Sequence, residues 1–220
     1  MSFESSTVDN APNCNIEKPL YFVKEFNTSD ETQLLIKELK LVGHREGGYF
    51  NETDRSPFHM ENPHYEAHDG PTKSIKDISS LPRDAYRNYS TLIYYLLTPQ
   101  IPYGRFHKNL NRIIHILQKG RGQYVLIYPD GRVKSFIVGF DHSRGEVSQW
   151  VVPGGVWKAS FLRPLSDDVG ESSDDHLLIS EVVVPGFEYD DHQFLQDDKL
   201  VELVGEERAS QLSFLQHSSV

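Results

Sequence analysis

Residues 112–139 read RIIHILQKGRGQYVLIYPDGRVKSFIVG, and their punctuation decides the fold. Three apolar runs, 112–118, 123–128 and 132–139, are separated by KGRG at 119–122 and PDG at 129–131. Both connectors supply Gly where a hairpin needs positive φ. Runs this short, rich in Ile, Val and Tyr, predict strands. Working outward, TLIYYLL (91–97), SQWVVP (148–153), VWKASFL (156–162) and LLISEVVVP (177–185) have the same character. Seven or more short strands with tight turns and no helices between them predict an all-β sandwich or jelly-roll barrel, which hides its sheet edges.

Helices are expected only at the flanks. Ser29 or Asp30 can cap one, with Leu34, Leu35, Ile36, Leu39 and Leu41 as its apolar stripe and an end near Gly43. Leu200, Leu203, Val204 and Leu212 suggest another between Asp198 and Leu215. Residues 1–18 read as a flexible arm, 19–195 as a single domain and 196–220 as an acidic helical tail. The interval 59–89 is too polar for a core strand and reads as an insertion loop.

The 220 residues, 38% apolar and 11% aromatic, suffice for one sizeable core. Lys and Arg number 22 against 32 Asp and Glu, a net charge of −10, which argues against a nucleic-acid or anionic-membrane binder. From Arg105 to Lys134, however, seven basic residues meet one acid, Asp130, for 7 − 1 = +6. That excess suggests a small anionic ligand, or else strand residues that point to solvent. The single cysteine, Cys14, excludes an internal disulfide framework and a thiolate metal cluster. The first twenty residues lack a basic n-region and an apolar h-region, so the expected compartment is the cytoplasm, with the nucleus also open to the chain.

Five stretches occur in order: LVGHREGGYFNETDRS (41–56), TLIYYLL (91–97), FHKNLNRIIHILQKGRGQYVLIYPDG (106–131), VVPGGVWKASFL (151–162) and VVVPGFEYDDHQF (182–194). Together they resemble the cupin_5 branch of the cupin superfamily. The resemblance implies a double-stranded β-helix, the cupin jelly-roll barrel, with a central pocket and usually a homodimer. It implies little about chemistry, because function lies in the site. The general cupin metal pattern resembles H-x-H-x(3,4)-E-x(6)-G followed by P-x-G-x-x-H. Here His107 and Gly120 fit, while Asn109, Ile113 and Lys158 stand at the other three ligand positions. An ammonium offers no lone pair and Ile offers nothing, so no cupin-type metal and no other cofactor is expected.

The remaining candidates are read singly. His107 is either a loop-bonding residue or a general acid or base, since imidazole titrates near neutrality. His115 shares a face with Ile113 and Leu117 and reads first as a core histidine, second as a pocket residue. Lys158 inside the barrel would need an anion; strand alternation equally permits Trp157 inside and Lys158 outside. In HREGGYF (44–50), Gly47 and Gly48 let the backbone pass close to another element, while Tyr49 and Phe50 project to opposite sides. Arg45 or His44 can bind an anionic group, and Glu46 can fix the turn or accept from a ligand. Glu188 is expected to point into the pocket. The expected ligand-binding set is therefore Arg45, Glu46, Tyr49, Tyr95, Arg105, His107, Asn109, His115, Lys158 and Glu188.

Two classes of function fit. One is a non-catalytic cupin that binds a small polar or anionic metabolite. The other is an isomerase or epimerase like the sugar-nucleotide cupins, with His107 as base and Tyr95 or Tyr124 as acid. That chemistry calls for a device that sets the histidine tautomer, and no partner carboxylate is assignable from the sequence. A metal-dependent oxygenase with displaced ligands is a weaker third reading.

Overall fold

The structure, a computed structural model, describes residues 6–65, 82–167 and 170–216. Thirteen strands among them form two main sheets and one small ribbon. The first sheet runs in the order β1 (Val42–Gly43), β2 (Tyr49–Arg55), β5 (Thr91–Leu97), β12 (Leu177–Val184), β7 (Arg112–Gly120) and β10 (Gln149–Val152). The second is β13 (His192–Phe194), β6 (Tyr103–Asn109), β11 (Trp157–Leu162), β8 (Gly122–Ile127) and β9 (Val133–Val138). The pairs within both sheets are antiparallel, and sequence-distant strands are neighbours, as in a jelly roll. Gly120 and Gly131 take φ of +87° and +82°, as the two predicted turns require.

The sheets enclose an aromatic core of Tyr124, Phe136 and Trp150 with Leu97, Leu126, Leu177 and Ile179. A second cluster lies outside the β6–β11–β8 sheet, where Phe106, Val125, Trp157 and Phe161 are covered by α3 (Asp197–Val204) and α4 (Glu206–Leu212). The tail is thus two helices, broken at Gly205 with φ +78°. On the other flank, α2 (Asp30–Glu38) is capped by Ser29, whose side chain accepts from the Thr32 N–H. It ends before Gly43 because Lys40 adopts φ +53° and the Leu41 N–H reaches back to the Ile36 carbonyl. Gly43 belongs to β1 instead.

The segment expected as a flexible arm makes specific contacts. Val8, in the short helix α1 (Ser6–Asn10), is fully buried, the Cys14 N–H donates to Ser135 O, and Lys134 Nζ donates to Ala11 O. In the polar interval, β3 (His59–Glu61) and β4 (Tyr86–Asn88) pair as a ribbon, while residues 66–81 lie outside the described residues. Residues 103–109, absent from the expected strands, form β6, a strand that is central to the site.

Candidate functional site

The two adjacent glycines set one wall of the site. A Cβ on Gly47 would lie 2.2 Å from Tyr103 O, and one on Gly48 2.6 Å from Leu96 O. Only glycine lets the 44–48 turn press against the barrel this closely, at φ of +107° and +64°. The Arg105 N–H then donates to Glu46 O at 2.7 Å, locking the turn to β6 and aiming the Glu46 carboxylate inward.

That carboxylate lines a cavity of about 330 Å³ between the sheets. His44, Glu46, Tyr95, His107, Asn109, Lys158 and Glu181 form its polar part, His44 Nδ1 lying 3.5 Å from Glu46 Oε2. Phe50, Ile93, Ile113, Val183, Phe187 and Tyr189 supply apolar walls, and Glu52, Arg55 and Glu188 stand at the rim. Strand pairing explains the convergence. Lys158 on β11 is directly opposite His107 on β6, and Glu181 on β12 is opposite His115 on β7.

The ionic contacts form two groups. Lys158 Nζ donates to Glu181 Oε2 at 2.8 Å and to His115 Nε2 at 3.0 Å. Glu46 Oε1 meets His192 Nε2 at 2.8 Å, and Glu46 Oε2 meets His107 Nε2 at 3.2 Å. On its far side His107 Nδ1 lies 2.7 Å from Arg105 O. A carbonyl only accepts, so the ring proton sits on Nδ1 and the lone pair of the neutral imidazole on Nε2. Burial, helped by the Lys158 ammonium, lowers the His107 pKa to about 3 against the pull of Glu46. Burial, then the Glu46 and Glu181 carboxylates, push the Tyr95 phenol up, so it remains a donor, and it donates to Gly47 O at 2.9 Å.

The structure brings together Glu46, Tyr95, His107, Asn109, Lys158 and Glu188 from the expected set, and displaces the other four. Tyr49 packs with α2 against Leu41, Leu96 and Leu178, and its neighbour Phe50 lines the pocket instead. Arg45 lies outside, its guanidinium 5.3 Å from the rings of Tyr189 and Phe194. Arg105 turns away to Tyr103 Oη and the Gln216 carbonyl. His115 is one layer back, stacked on Trp150 at 4.9 Å and touching the pocket through Lys158 and Glu181. Glu188 is at the rim, 2.9 Å from Arg55, rather than deep inside.

The excess of charge in 105–134 does not reach the cavity. Lys119 pairs with Glu31, Arg121 with Glu146 and Asp167, Arg132 lies over Tyr128, and Lys108 lies over Trp157. Around the cavity itself stand four carboxylates, Glu46, Glu52, Glu181 and Glu188, against Arg55 and Lys158. The inference from local positive charge to an anionic ligand therefore fails at its first step.

Sequence reasoning missed Glu181 and His192. Alternation along LLISEVVV could have flagged Glu181, the one charged residue in a strand whose other residues are apolar apart from Ser180. His192 carried no such signal, because the carboxylate that it meets, Glu46, is 146 residues away in the sequence.

A double-sheet barrel with a pocket opening between its sheets defines a cupin. The family model described as Cupin superfamily (DUF985) matches residues 33–195, and the chain belongs to that family. It is 56% identical over 214 residues to the uncharacterized protein YML079W of Saccharomyces cerevisiae, covering 96% of this chain and 99% of that one. A hypothetical protein from Leishmania major superposes with a TM-score of 0.67 at 26% identity, over 87% of this chain and all of that one. Protein SO0799 from Shewanella oneidensis gives 0.63 at 22% identity, over 88% and 99%, and shares the fold. The metal that the cupin pattern implies does not fit its usual positions here, because Ile113 and Lys158 line the pocket beside His107 without a lone pair to offer. Among the described residues no helix is long and apolar enough to cross a membrane.

Proposed function

We propose that the barrel pocket binds a small polar metabolite, with its polar end against Glu46, His107 and Asn109 and its apolar part against Phe50, Phe187 and Tyr189. The observation that carries this reading is a pair of buried acceptors without partners. His107 Nε2 and Asn109 Oδ1 both belong to residues lining the cavity, and neither has a hydrogen bond. Buried acceptors left unpaired cost about 1–3 kcal/mol each, so they call for an occupant that supplies donors or positive charge. A cavity of about 330 Å³ is at the small end of metabolite sites. The surplus of carboxylates favours neutral hydroxylated or cationic compounds over phosphates. A thermal-shift screen tests this: at about 100 times its dissociation constant a true ligand adds about 2.7 kcal/mol of stability. Stabilisation by phosphorylated compounds alone would refute the charge argument.

One observation favours a second reading, proton transfer at carbon. The Arg105 carbonyl supplies the tautomer-setting device, leaving the His107 Nε2 lone pair free, and Tyr95 lines the same cavity from the facing sheet, where its phenol serves as the acid once it leaves Gly47 O. Deuterium exchange from solvent into a bound compound, abolished in His107→Ala with binding retained, separates an isomerase from a binding protein.

A further inference from the structure

The lone pair on His107 Nε2 faces a carboxylate oxygen at 3.2 Å, and two acceptors at that distance repel unless a positive centre lies between them. In the metal-free protein His192 resolves its own contact by donating from Nε2 to Glu46, and that nitrogen becomes a metal donor only once the ring proton is carried on Nδ1 instead. His107 cannot donate there, since its proton is committed to the Arg105 carbonyl. The two imidazole rings are nearly parallel, 5.3 Å apart with 20° between planes, so both Nε2 atoms address one carboxylate. The three donor atoms all lie within 4.8 Å of one another, and His107 Nε2 is buried without a hydrogen-bond partner.

We infer that Glu46, His107 and His192 hold one divalent transition-metal ion at the pocket wall, with its remaining coordination positions open to the cavity. Two imidazole nitrogens and one carboxylate oxygen are the donor types that zinc, cobalt and nickel accept. A backbone carbonyl on the far ring nitrogen is the support that metal-bound histidine ordinarily has. The site shares only His107 with the cupin pattern. It takes its other two ligands from the turn before β2 and from β13, so the loss of the usual ligands at 109, 113 and 158 does not bear on it. Lys158 does not compete for Glu46, because its ammonium is hydrogen-bonded to Glu181 and His115.

The inference goes beyond metabolite binding and stands without it, since metal can be titrated with no metabolite present. The full chain, stripped with chelator and dialysed, is titrated with Zn²⁺ by calorimetry and with Co²⁺ by visible absorption. The expected result is about one equivalent of either ion, with the intensified d–d bands of imidazole-bound Co²⁺. Glu46→Gln and His192→Gln should each weaken binding at least about tenfold, while His142→Gln, an exposed histidine elsewhere, should leave it unchanged. No stoichiometric binding, a Co²⁺ spectrum like that of the aqueous ion, or less than tenfold loss in both site variants overturns the assignment. The wild-type spectrum decides alone if a variant fails to fold.

Discussion

Two neighbouring residues near the end of the barrel, Asp191 and His192, enter buried polar clusters of opposite character. Asp191 takes both nitrogens of a bidentate Arg87 fork at 2.8 Å and a further bond from Asn111 Nδ2 at 2.9 Å. The remaining Arg87 nitrogen donates to the carbonyls of Asp84 and Tyr86, and Asn111 Oδ1 meets His64. His192 joins Glu46 and His107, where a lone pair has no partner and the cavity opens alongside. A saturated cluster fastens the ribbon strand β4 to the barrel. An unsaturated one keeps capacity for an occupant. Burial is alike in both, so it is the completeness of charge pairing and hydrogen bonding that distinguishes structure from site.

The largest expected effect lies in the saturated cluster. Arg87→Ala leaves the Asp191 carboxylate buried and unpaired, which should cost about 3–5 kcal/mol in urea unfolding. A loss under 1 kcal/mol would mean that this pair is not buried in solution.

A smaller effect sharpens the comparison through the group that links core and pocket. His115 is fully buried, and burial first, then the Lys158 ammonium, hold its pKa well below the ordinary value. The native ring stays neutral where the unfolded one, titrating near 6.5, takes up a proton, so stability falls as pH drops through 6.5. Between pH 7 and pH 5 this group alone can contribute a loss of at most about 2 kcal/mol, the limit set by the unfolded ring. His44 and His107 act in the same direction. His115→Gln keeps an acceptor for Lys158 and should flatten the slope by up to that amount; an unchanged slope removes His115 from the account.

The uneven legibility of the sequence follows from the same physics. Strands and turns are local, and Gly120, Gly131, Gly47 and Gly48 announced their backbone conformations directly. The pocket residues that alternation and motif order could place, such as His107 and Lys158, were legible as candidates. The charged run 105–134 misled because its partners, Glu31, Asp9, Glu146 and Asp167, are remote in sequence. His192 was invisible for the same reason: its partner Glu46 is 146 residues away.

The smallest expected change in stability is the most direct test of the central claim that the Glu46 cluster is unsaturated by design of the fold. In Glu46→Gln the amide oxygen can still accept from His192, and the amide nitrogen can donate to the His107 lone pair that now faces an oxygen. Urea unfolding of metal-free protein should therefore find Glu46→Gln within about 1 kcal/mol of wild type or above it. A loss of about 3 kcal/mol or more, comparable to Arg87→Ala, would contradict the account, because it would make Glu46 a fastening like Asp191.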